Sequence, residues 1–166
     1  MSALSFRLAT EGDIPALLQL RLAIDADQAE RFGTERYTTT ITEKSVARNL
    51  KSSRTLVVTR RGRIVGAVRM ETKKPWAVDL KYFTPSCKAV YLHDVDVHPE
   101  LQRVGIGRQL MDRVKTMAEE WPVDAIRLDA YDGPSGAGPF YKKCGFKPVG
   151  HAVYRGVPLV YFEFVF

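Results

Sequence analysis

The sequence predicts an α/β fold in which a mixed, mostly antiparallel sheet is flanked by helices. Its 166 residues and its hydrophobic fraction of 45% suit one compact domain with its own core. Strand-like and helix-like patterns alternate along the chain. A helix-like segment separates the strand-like segments 90–97 and 126–130, and such a crossover requires locally parallel strands. The remaining strands are expected to pair antiparallel.

The N-terminal third predicts one short strand and two helices. Asp13 is a suitable N-cap, and Pro15 suits the first turn of the helix that follows it. In order, the predicted elements are a strand at 6–8, a helix from about 14 to 31, a polar loop at 33–42 and a short helix at 43–51.

The middle of the chain predicts a hairpin. Segments 55–59 and 64–70 are rich in β-branched residues, and the tight turn Arg61-Gly62-Arg63 joins them. Segment 73–88 is predicted to be irregular because Pro75 and Pro85 interrupt it.

A third strand is predicted at 90–97 because its side chains alternate, and Pro99 stops it. Such alternation divides the strand into two faces. One face is predicted to carry Tyr91, His93, Val95 and Val97, and the other Leu92, Asp94 and Asp96.

The C-terminal part predicts two helices and two strands. In order, these are a helix at 105–121, a strand at 126–130, a short helix that ends at Gly145 as an αL cap, and a strand at 157–166. Apolar residues at three- and four-residue steps give the long helix a core-facing side; they are Ile106, Leu110, Met111, Val114, Met117, Ala118 and Trp121. No repeat or linker interrupts the chain, so residues 1–166 are assigned to one domain.

Composition argues against several classes of protein. No segment reaches the roughly 20 consecutive apolar residues that span a bilayer, and residues 1–9 lack the pattern of a secretory signal. Cys87 and Cys144 make no disulfide framework and have no histidine at zinc spacing. We therefore expect a cytoplasmic protein without a metal. The net charge of +6 comes from scattered basic residues, which does not favour nucleic acid as a partner.

The segment between strand 90–97 and the next helix carries the clearest chemical signal. Gly105 and Gly107 let the backbone approach a ligand closely. The first amides of a helix have no internal partner and, with the helix dipole, attract anions. Gln102, Arg103 and Arg108 add hydrogen bonds or positive charge. The segment is therefore predicted to hold a pyrophosphate.

Other interpretations of the two glycines fit less well or stay open. A Walker loop requires Gly-Lys-Ser/Thr, but Arg108 and Gln109 follow Gly107. A dinucleotide fingerprint requires a third glycine at position 110, where this chain has Leu110. For the glycines alone, a tight strand-to-helix turn without a ligand is the alternative.

Several segments together resemble the Gcn5-related N-acetyltransferase (GNAT) family. Gln102-Arg-Val-Gly105-Ile-Gly107 resembles the family's Gln/Arg-x-x-Gly-x-Gly/Ala motif, and it follows the strand-then-proline entry Val95-Asp-Val-His-Pro99. Phe140-Tyr141-Lys-Lys-Cys-Gly145-Phe146 is similar to the family's late helix, and Phe6-Arg-Leu-Ala-Thr-Glu-Gly-Asp13 to its usual opening. The resemblance covers nearly the whole chain, in the family's order.

The resemblance implies the acyl-CoA N-acyltransferase fold, whose sheet is splayed at its middle. It implies acetyl-CoA as the co-substrate, with the pantetheine arm pairing with the backbone of Val95, Asp96 and Val97. The pyrophosphate is then expected at the loop and the start of the helix, which are Arg103, Val104, Gly105, Ile106, Gly107 and Arg108.

The family's reaction is direct attack of an amine on the thioester. Tyr141 lies where the family places the acid that protonates the departing thiolate. A base or a water chain must take a proton from the ammonium. Asp129 is the first candidate for the base, since some relatives carry a catalytic Glu there; the alternatives are His93, Asp94 and Asp96.

One position departs from the family pattern. Many relatives carry Asn seven residues before the tyrosine, bonding the pantetheine, where this chain has Pro134. Ser135 or a backbone group is the expected substitute, because proline has neither an amide side chain nor an N–H. Pro134 is also the one observation that favours a competing function, a non-catalytic acyl-CoA-binding module of the same fold.

The acceptor is expected to be a primary amine of a small molecule or peptide. In this fold the first two helices and the loop between them usually choose it. That region is locally acidic, which suits a cationic amine, with a solvated helix face as the alternative; the residues are Asp25, Asp27, Glu30 and Glu35. A homodimer is compatible with the sequence.

Overall fold

The structure is a computed structural model that describes residues 2–33, 40–85 and 87–166. The strands of this part are β1 (Leu4–Leu8), β2 (Arg54–Arg60), β3 (Arg63–Glu71), β4 (Ala89–Val97), β5 (Ala125–Tyr131), β6 (Lys147–Tyr154) and β7 (Val157–Val165). The α-helices are α1 (Ile14–Phe32), α2 (Glu43–Ser52), α3 (Ile106–Glu119) and α4 (Gly138–Lys143).

The strands form a sheet in the order β1-β2-β3-β4-β5-β7-β6. The pairs β1–β2, β2–β3, β5–β7 and β6–β7 are antiparallel, and β4–β5 is parallel. The predicted α/β class, with a mostly antiparallel sheet and one parallel pair across a helical crossover, is confirmed. The parallel ladder is short, because its pairs run only from Ala89 to Tyr91 on β4.

The chain divides into two compact units. The first comprises Met1–Glu71 and His93–Leu110, and the second Thr72–Leu92 and Met111–Phe166. The assignment of residues 1–166 to one acetyltransferase domain stays a prediction.

The first unit is built on the β2–β3 hairpin. Arg61 and Gly62 take φ values of 51° and 75°, the left-handed geometry that closes a tight hairpin with the natural strand twist. The β-branched residues then bury one side of the hairpin against α1. Leu20 and Ile24 of α1, one helical turn apart, pack there with Val57 and Ala67.

The second unit is centred on β5 and β7. Its core consists of Val78, Phe83, Ala89, Tyr91, Ala125 and Tyr161. Arg127 and Glu163 are buried in it and paired, with 2.8 Å between Nε and Oε2. Glu163 also accepts a hydrogen bond of 3.1 Å from the Thr84 amide, and the Arg127 guanidinium donates to the Thr84 carbonyl at 2.8 Å. A buried charge requires such partners, so this network is a structural one.

Three sequence predictions about the elements need correction. Strand β6 was not predicted, because its glycine and proline hide the alternation. Asp13 precedes α1, but its side chain does not cap that helix. Its carboxylate instead accepts hydrogen bonds from Arg7 Nη1 at 2.7 Å and from the Thr10 amide at 2.8 Å, and the Arg7 guanidinium, the larger cause, lowers the Asp13 pKa to about 2.

The third correction concerns β4, whose regular alternation is interrupted. Asp94 has a φ of 48°, a left-handed geometry that is uncommon for a residue other than glycine. Asp94 is therefore exposed, whereas Asp96 is buried, although both were predicted on one face.

Candidate active site

The loop that joins β4 to α3 lies wholly in the first unit. A short 3₁₀ turn at Pro99–Leu101 follows the strand, and Gln102 Nε2 donates a hydrogen bond of 3.1 Å to the Val97 carbonyl. Arg103 and Gly105 take φ values of 62° and 93°. These left-handed residues turn the chain sharply from the strand into the helix.

The N-terminus of α3 presents free backbone donors. The first bond within the helix runs from the Gln109 amide to the Gly105 carbonyl at 3.1 Å. The amides of Ile106, Gly107 and Arg108 precede it, so helix geometry leaves them without an intrahelical acceptor. Arg108 is exposed on the same turn. Amides, dipole and guanidinium together make an anion site.

The C-terminal half of β4 has one edge turned away from β3. The His98 amide donates to the Val65 carbonyl at 2.8 Å, and a Cβ added to Gly66 would lie 2.9 Å from the Asp96 carbonyl oxygen. Both observations place the polar groups of Asp96 and His98 on the β3 side. Because backbone groups alternate along a strand, those of Val95 and Val97 face the other side.

The parallel ladder to β5 ends at Tyr91. The backbone groups of Val95 and Val97 thus face away from β3, and the Val97 carbonyl already accepts the hydrogen bond from Gln102 Nε2. Asp96, predicted with these two residues to bind the pantetheine through its backbone, lies between them but has its carbonyl turned toward β3.

Two guanidiniums hold the carboxylates that flank Val95. Arg69 Nε of β3 donates to Asp94 at 2.7 Å, and Arg21 Nη1 of α1 donates to Asp96 at 2.6 Å. Arg21 also pairs with Asp25, one helical turn further along α1, at 3.0 Å. Asp94 and Asp96 were predicted as candidate bases, but their arginine partners were not predicted. The sequence carries only a weak indication of these partners, because an arginine on an amphipathic helix is usually solvated.

Burial raises the pKa of Asp96 to about 7. Arg21 lowers it, while the nearby charges of Asp94 and Asp25 add to the increase. The desolvation of a buried carboxylate therefore outweighs its ion pair here.

The titration of Asp96 gives a first prediction about stability. Its pKa is about 7 in the folded chain and about 3.9 in an unfolded one, so the folded state holds the extra proton between these values. The free energy of unfolding, relative to Asp96→Asn, is therefore expected to fall as pH rises from about 4 to 7, by up to about 1.4 kcal/mol per pH unit. Urea unfolding of both proteins across this range measures it. A difference that is constant or rises with pH would contradict the assignment.

His93 of β4 lies beside Glu71 of β3. His93 Nε2 is 2.7 Å from Glu71 Oε1, and both side chains are 19% exposed. Nε2 is nevertheless not aligned for a hydrogen bond to a described partner. The contact therefore meets the distance of an ion pair but not the geometry of a hydrogen bond.

Tyr141 lies on α4 in the second unit and is buried. Its ring is held by three aromatic neighbours, with centroid distances of 5.3 Å to Phe140, 6.0 Å to Phe146 and 5.7 Å to Phe162. Phe140, which was predicted to be core, is half-buried. Gly145 ends this region with the expected positive φ, 89°. The packing fixes the direction of the phenol.

Asp129 is half-buried on β5, opposite Tyr161 of β7. Its charge contributes to a raised pKa of Tyr161, although burial is the larger cause.

Pro134 occupies a turn that the Gly136 amide closes on the Gly133 carbonyl at 2.9 Å. Proline suits the second position of such a turn, which is the local reason for it where relatives carry Asn.

All the residues predicted to bind the cofactor lie in the first unit, whereas Tyr141 and Asp129 lie in the second.

The acidity predicted for the acceptor region is partly neutralised within α1. Asp25 pairs with Arg21 at 3.0 Å, and Asp27 with Arg31 at 3.4 Å. Glu35 and most of the predicted loop at 33–42 lie outside the described residues.

Three further findings concern the described part of the chain. Cys87 and Cys144 form no disulfide in this part of the chain. No cluster of His, Cys, Asp or Glu in this part is suited to a metal ion. None of the helices in this part has the length and apolar character required to cross a membrane.

A family model agrees with this architecture. The model of the acetyltransferase (GNAT) domain matches residues 23–164. The chain therefore belongs to the GNAT acetyltransferase family and is an acyl-CoA-dependent N-acyltransferase. Enzymes of this family use acetyl-CoA.

Solved structures show the same fold. The chain is similar to an N-acetyltransferase from Staphylococcus aureus Mu50, with 18% identity, a TM-score of 0.74 and 99% of each chain covered. A ribosomal-protein-alanine N-acetyltransferase from Brucella melitensis has 22% identity and a TM-score of 0.72, with 98% of this chain and 99% of that chain covered. A Salmonella typhimurium protein solved with its cofactor acetyl-CoA has 18% identity and a TM-score of 0.67, with 98% and 94% covered. No curated protein matches this chain significantly.

Proposed function

We propose that this enzyme transfers the acetyl group of acetyl-CoA to a primary amine of a small molecule or peptide by direct attack. The observation that carries the proposal is the junction of β4 and α3. There, a strand edge at Val95 and Val97 leads into a turn and a helix N-terminus with free amides. An extended amide-containing arm that ends in a pyrophosphate matches this sequence of donors and acceptors.

The backbone geometry assigns the parts of the cofactor to different residues. Val95, Asp96 and Val97 form the strand segment that pairs with the pantetheine arm, and the backbone groups of Val95 and Val97 are the ones that face the arm. The pyrophosphate lies against the amides and side chains of the loop and helix start, which are Arg103, Val104, Gly105, Ile106, Gly107 and Arg108. The exposure of Arg103 and Arg108 supports a role in neutralising the two phosphates.

The chemistry requires three proton transfers: the attacking nitrogen loses one proton before the attack and a second, which restores the acid, as the amide forms, and the departing thiolate gains one. Asp129 takes a proton from the ammonium, which frees the nitrogen lone pair to attack the thioester carbonyl carbon. Tyr141 donates its phenolic proton to the sulfur as the C–S bond breaks. A phenol suits this role because it is protonated at neutral pH, and the aromatic packing of Tyr141 supports a fixed direction of its hydroxyl.

The cytoplasmic location, the homodimer, and the exclusion of metal, nucleic acid and membrane stay predictions from the sequence.

A thiol-release screen tests the function. Purified enzyme and acetyl-CoA are incubated with polyamines, amino acids, aminoglycosides and peptide N-termini, and free CoA thiol is measured. Peptide N-termini are included because one structural neighbour is a ribosomal-protein-alanine N-acetyltransferase. We expect release that depends on one class of amine. Release that is identical without any amine would indicate hydrolysis and would contradict the proposal.

The assignment of the base gives a further prediction. If Asp129 takes the proton, Asp129→Asn should lower kcat most at moderate pH, and higher pH should partly restore the rate because more of the amine is already neutral. The pH–rate profiles of both proteins measure this. If Asp129→Asn matches wild type throughout, His93 beside Glu71 becomes the candidate, and His93→Gln is then the variant to compare.

A further inference from the structure

Arg21 of α1 lies at the centre of a charged cluster in the first unit. It contacts Asp96 at 2.6 Å and Asp25 at 3.0 Å. Asp94, paired with Arg69 of β3, adds its charge nearby. Arg21 joins a helix to the strand whose Val95–Val97 edge is assigned to the pantetheine.

The ion pair with Arg21 does not fully offset the burial of Asp96. The pKa of Asp96 is raised, so ionising it in the folded chain costs free energy even with Arg21 present. Replacing a buried pair by apolar groups of similar volume is often neutral or stabilising. An ion pair that only partly offsets this cost, beside the strand edge assigned to the pantetheine, points to a geometric role.

The backbone of β4 has a feature that requires support from neighbouring side chains. Asp94 has a left-handed φ of 48°, an unfavourable conformation that persists only where the surroundings fix the residue. Arg69 holds Asp94, and Arg21 holds Asp96. Val95 lies between these two anchored residues, so its backbone direction depends on both.

We propose that Arg21 is a positioning residue for acetyl-CoA: its ion pair with Asp96 holds the Val95–Val97 edge of β4 in the geometry that receives the pantetheine arm. This inference rests on the proposed function. It assigns Arg21 no contact with either substrate.

The test compares Arg21→Met with Arg31→Met. Arg31 also lies on α1 and pairs with an aspartate four residues away, but that pair is exposed and does not reach β4. We expect Arg21→Met to raise KM for acetyl-CoA about tenfold while kcat changes little, because binding common to the ground and transition states is lost. Arg21→Lys should recover part of the affinity, and Arg31→Met should match wild type. Circular dichroism verifies folding.

A pH series separates positioning from a merely structural effect. The groups that act on Asp96 are Arg21 and Asp25 from α1 and Asp94 from β4. Asp96 ionises over roughly pH 6 to 8, the range around its pKa. As pH rises through this range, KM for acetyl-CoA should fall relative to that of Asp96→Asn. The free energy of unfolding, also relative to Asp96→Asn, should fall at the same time, so binding improves while stability decreases. Comparison with the variant removes the titration of the CoA phosphates.

The outcomes are distinct. An unchanged KM for acetyl-CoA in folded Arg21→Met, while wild type binds acetyl-CoA, would overturn this inference alone. If Arg21→Met does not fold, Asp96→Asn decides: a KM with the same pH dependence as wild type overturns the inference. Failure of wild type to bind acetyl-CoA would instead overturn the proposed function.

Discussion

Gly107→Glu is expected to abolish acetyl-CoA binding while the protein stays folded. Gly107 is the second residue of α3, so a carboxylate there would meet the pyrophosphate proposed at the helix N-terminus. Two like charges about 4 Å apart repel by about 4 kcal/mol at an effective dielectric constant of about 20, which corresponds to roughly a thousandfold weaker binding. Calorimetric titration with CoA measures the loss.

The same substitution should not harm the helix. Glutamate has a higher helix propensity than glycine, and a negative charge near a helix N-terminus is favourable. The matched control is Gly12→Glu, an exposed glycine whose added Cβ would come no closer than 3.8 Å to Thr10 Oγ1. Control binding at the wild-type level, together with loss in Gly107→Glu, supports the site. Wild-type affinity in folded Gly107→Glu would refute it.

Tyr141→Phe is expected to lower kcat by about 10²–10⁴-fold, the usual contribution of a positioned general acid. Acetyl-CoA affinity should stay close to wild type, because the ring remains packed among Phe140, Phe146 and Phe162. Steady-state kinetics and calorimetry on the same preparation separate turnover from binding.

The control for this variant is Tyr154→Phe, which removes a phenol at the C-terminal end of β6, outside the late helix α4. It should leave both kinetic constants unchanged. Wild-type turnover in Tyr141→Phe would make Tyr141 a packing residue, and water would then be the proton source for the thiolate.

Periodicity predicted most of the fold because burial follows it. The β2–β3 hairpin, α2, α3 and β7 have clear apolar patterns, and the structure contains each of them. Strand β6 was missed because it contains Pro148 and Gly150 and has no buried residue, so little burial imposes a pattern on it. The side-chain role of Asp13 was missed because local capping rules do not include a competing arginine on the preceding strand.

The loop of the candidate site could be predicted from the sequence, but its charged surroundings could not. Gly105 has positive φ and directly precedes α3, as a glycine in a strand-to-helix turn suggests. The left-handed φ of Asp94 has no clear sequence signal, because no glycine or proline interrupts residues 90–97. The contact of Arg21 with Asp96 joins positions 75 residues apart, and a single sequence carries no information on such a pairing.

Hydrogen exchange with and without acetyl-CoA tests the central claim most directly, because the proposed site consists mainly of backbone amides. Mass spectrometry of peptides from the intact enzyme locates the protection. The account predicts slower exchange in peptides that cover Val95–Val97 and Gly105–Arg108, with unchanged exchange in α2 and β6. Protection confined to other segments, or no protection at acetyl-CoA concentrations that support turnover, would contradict it.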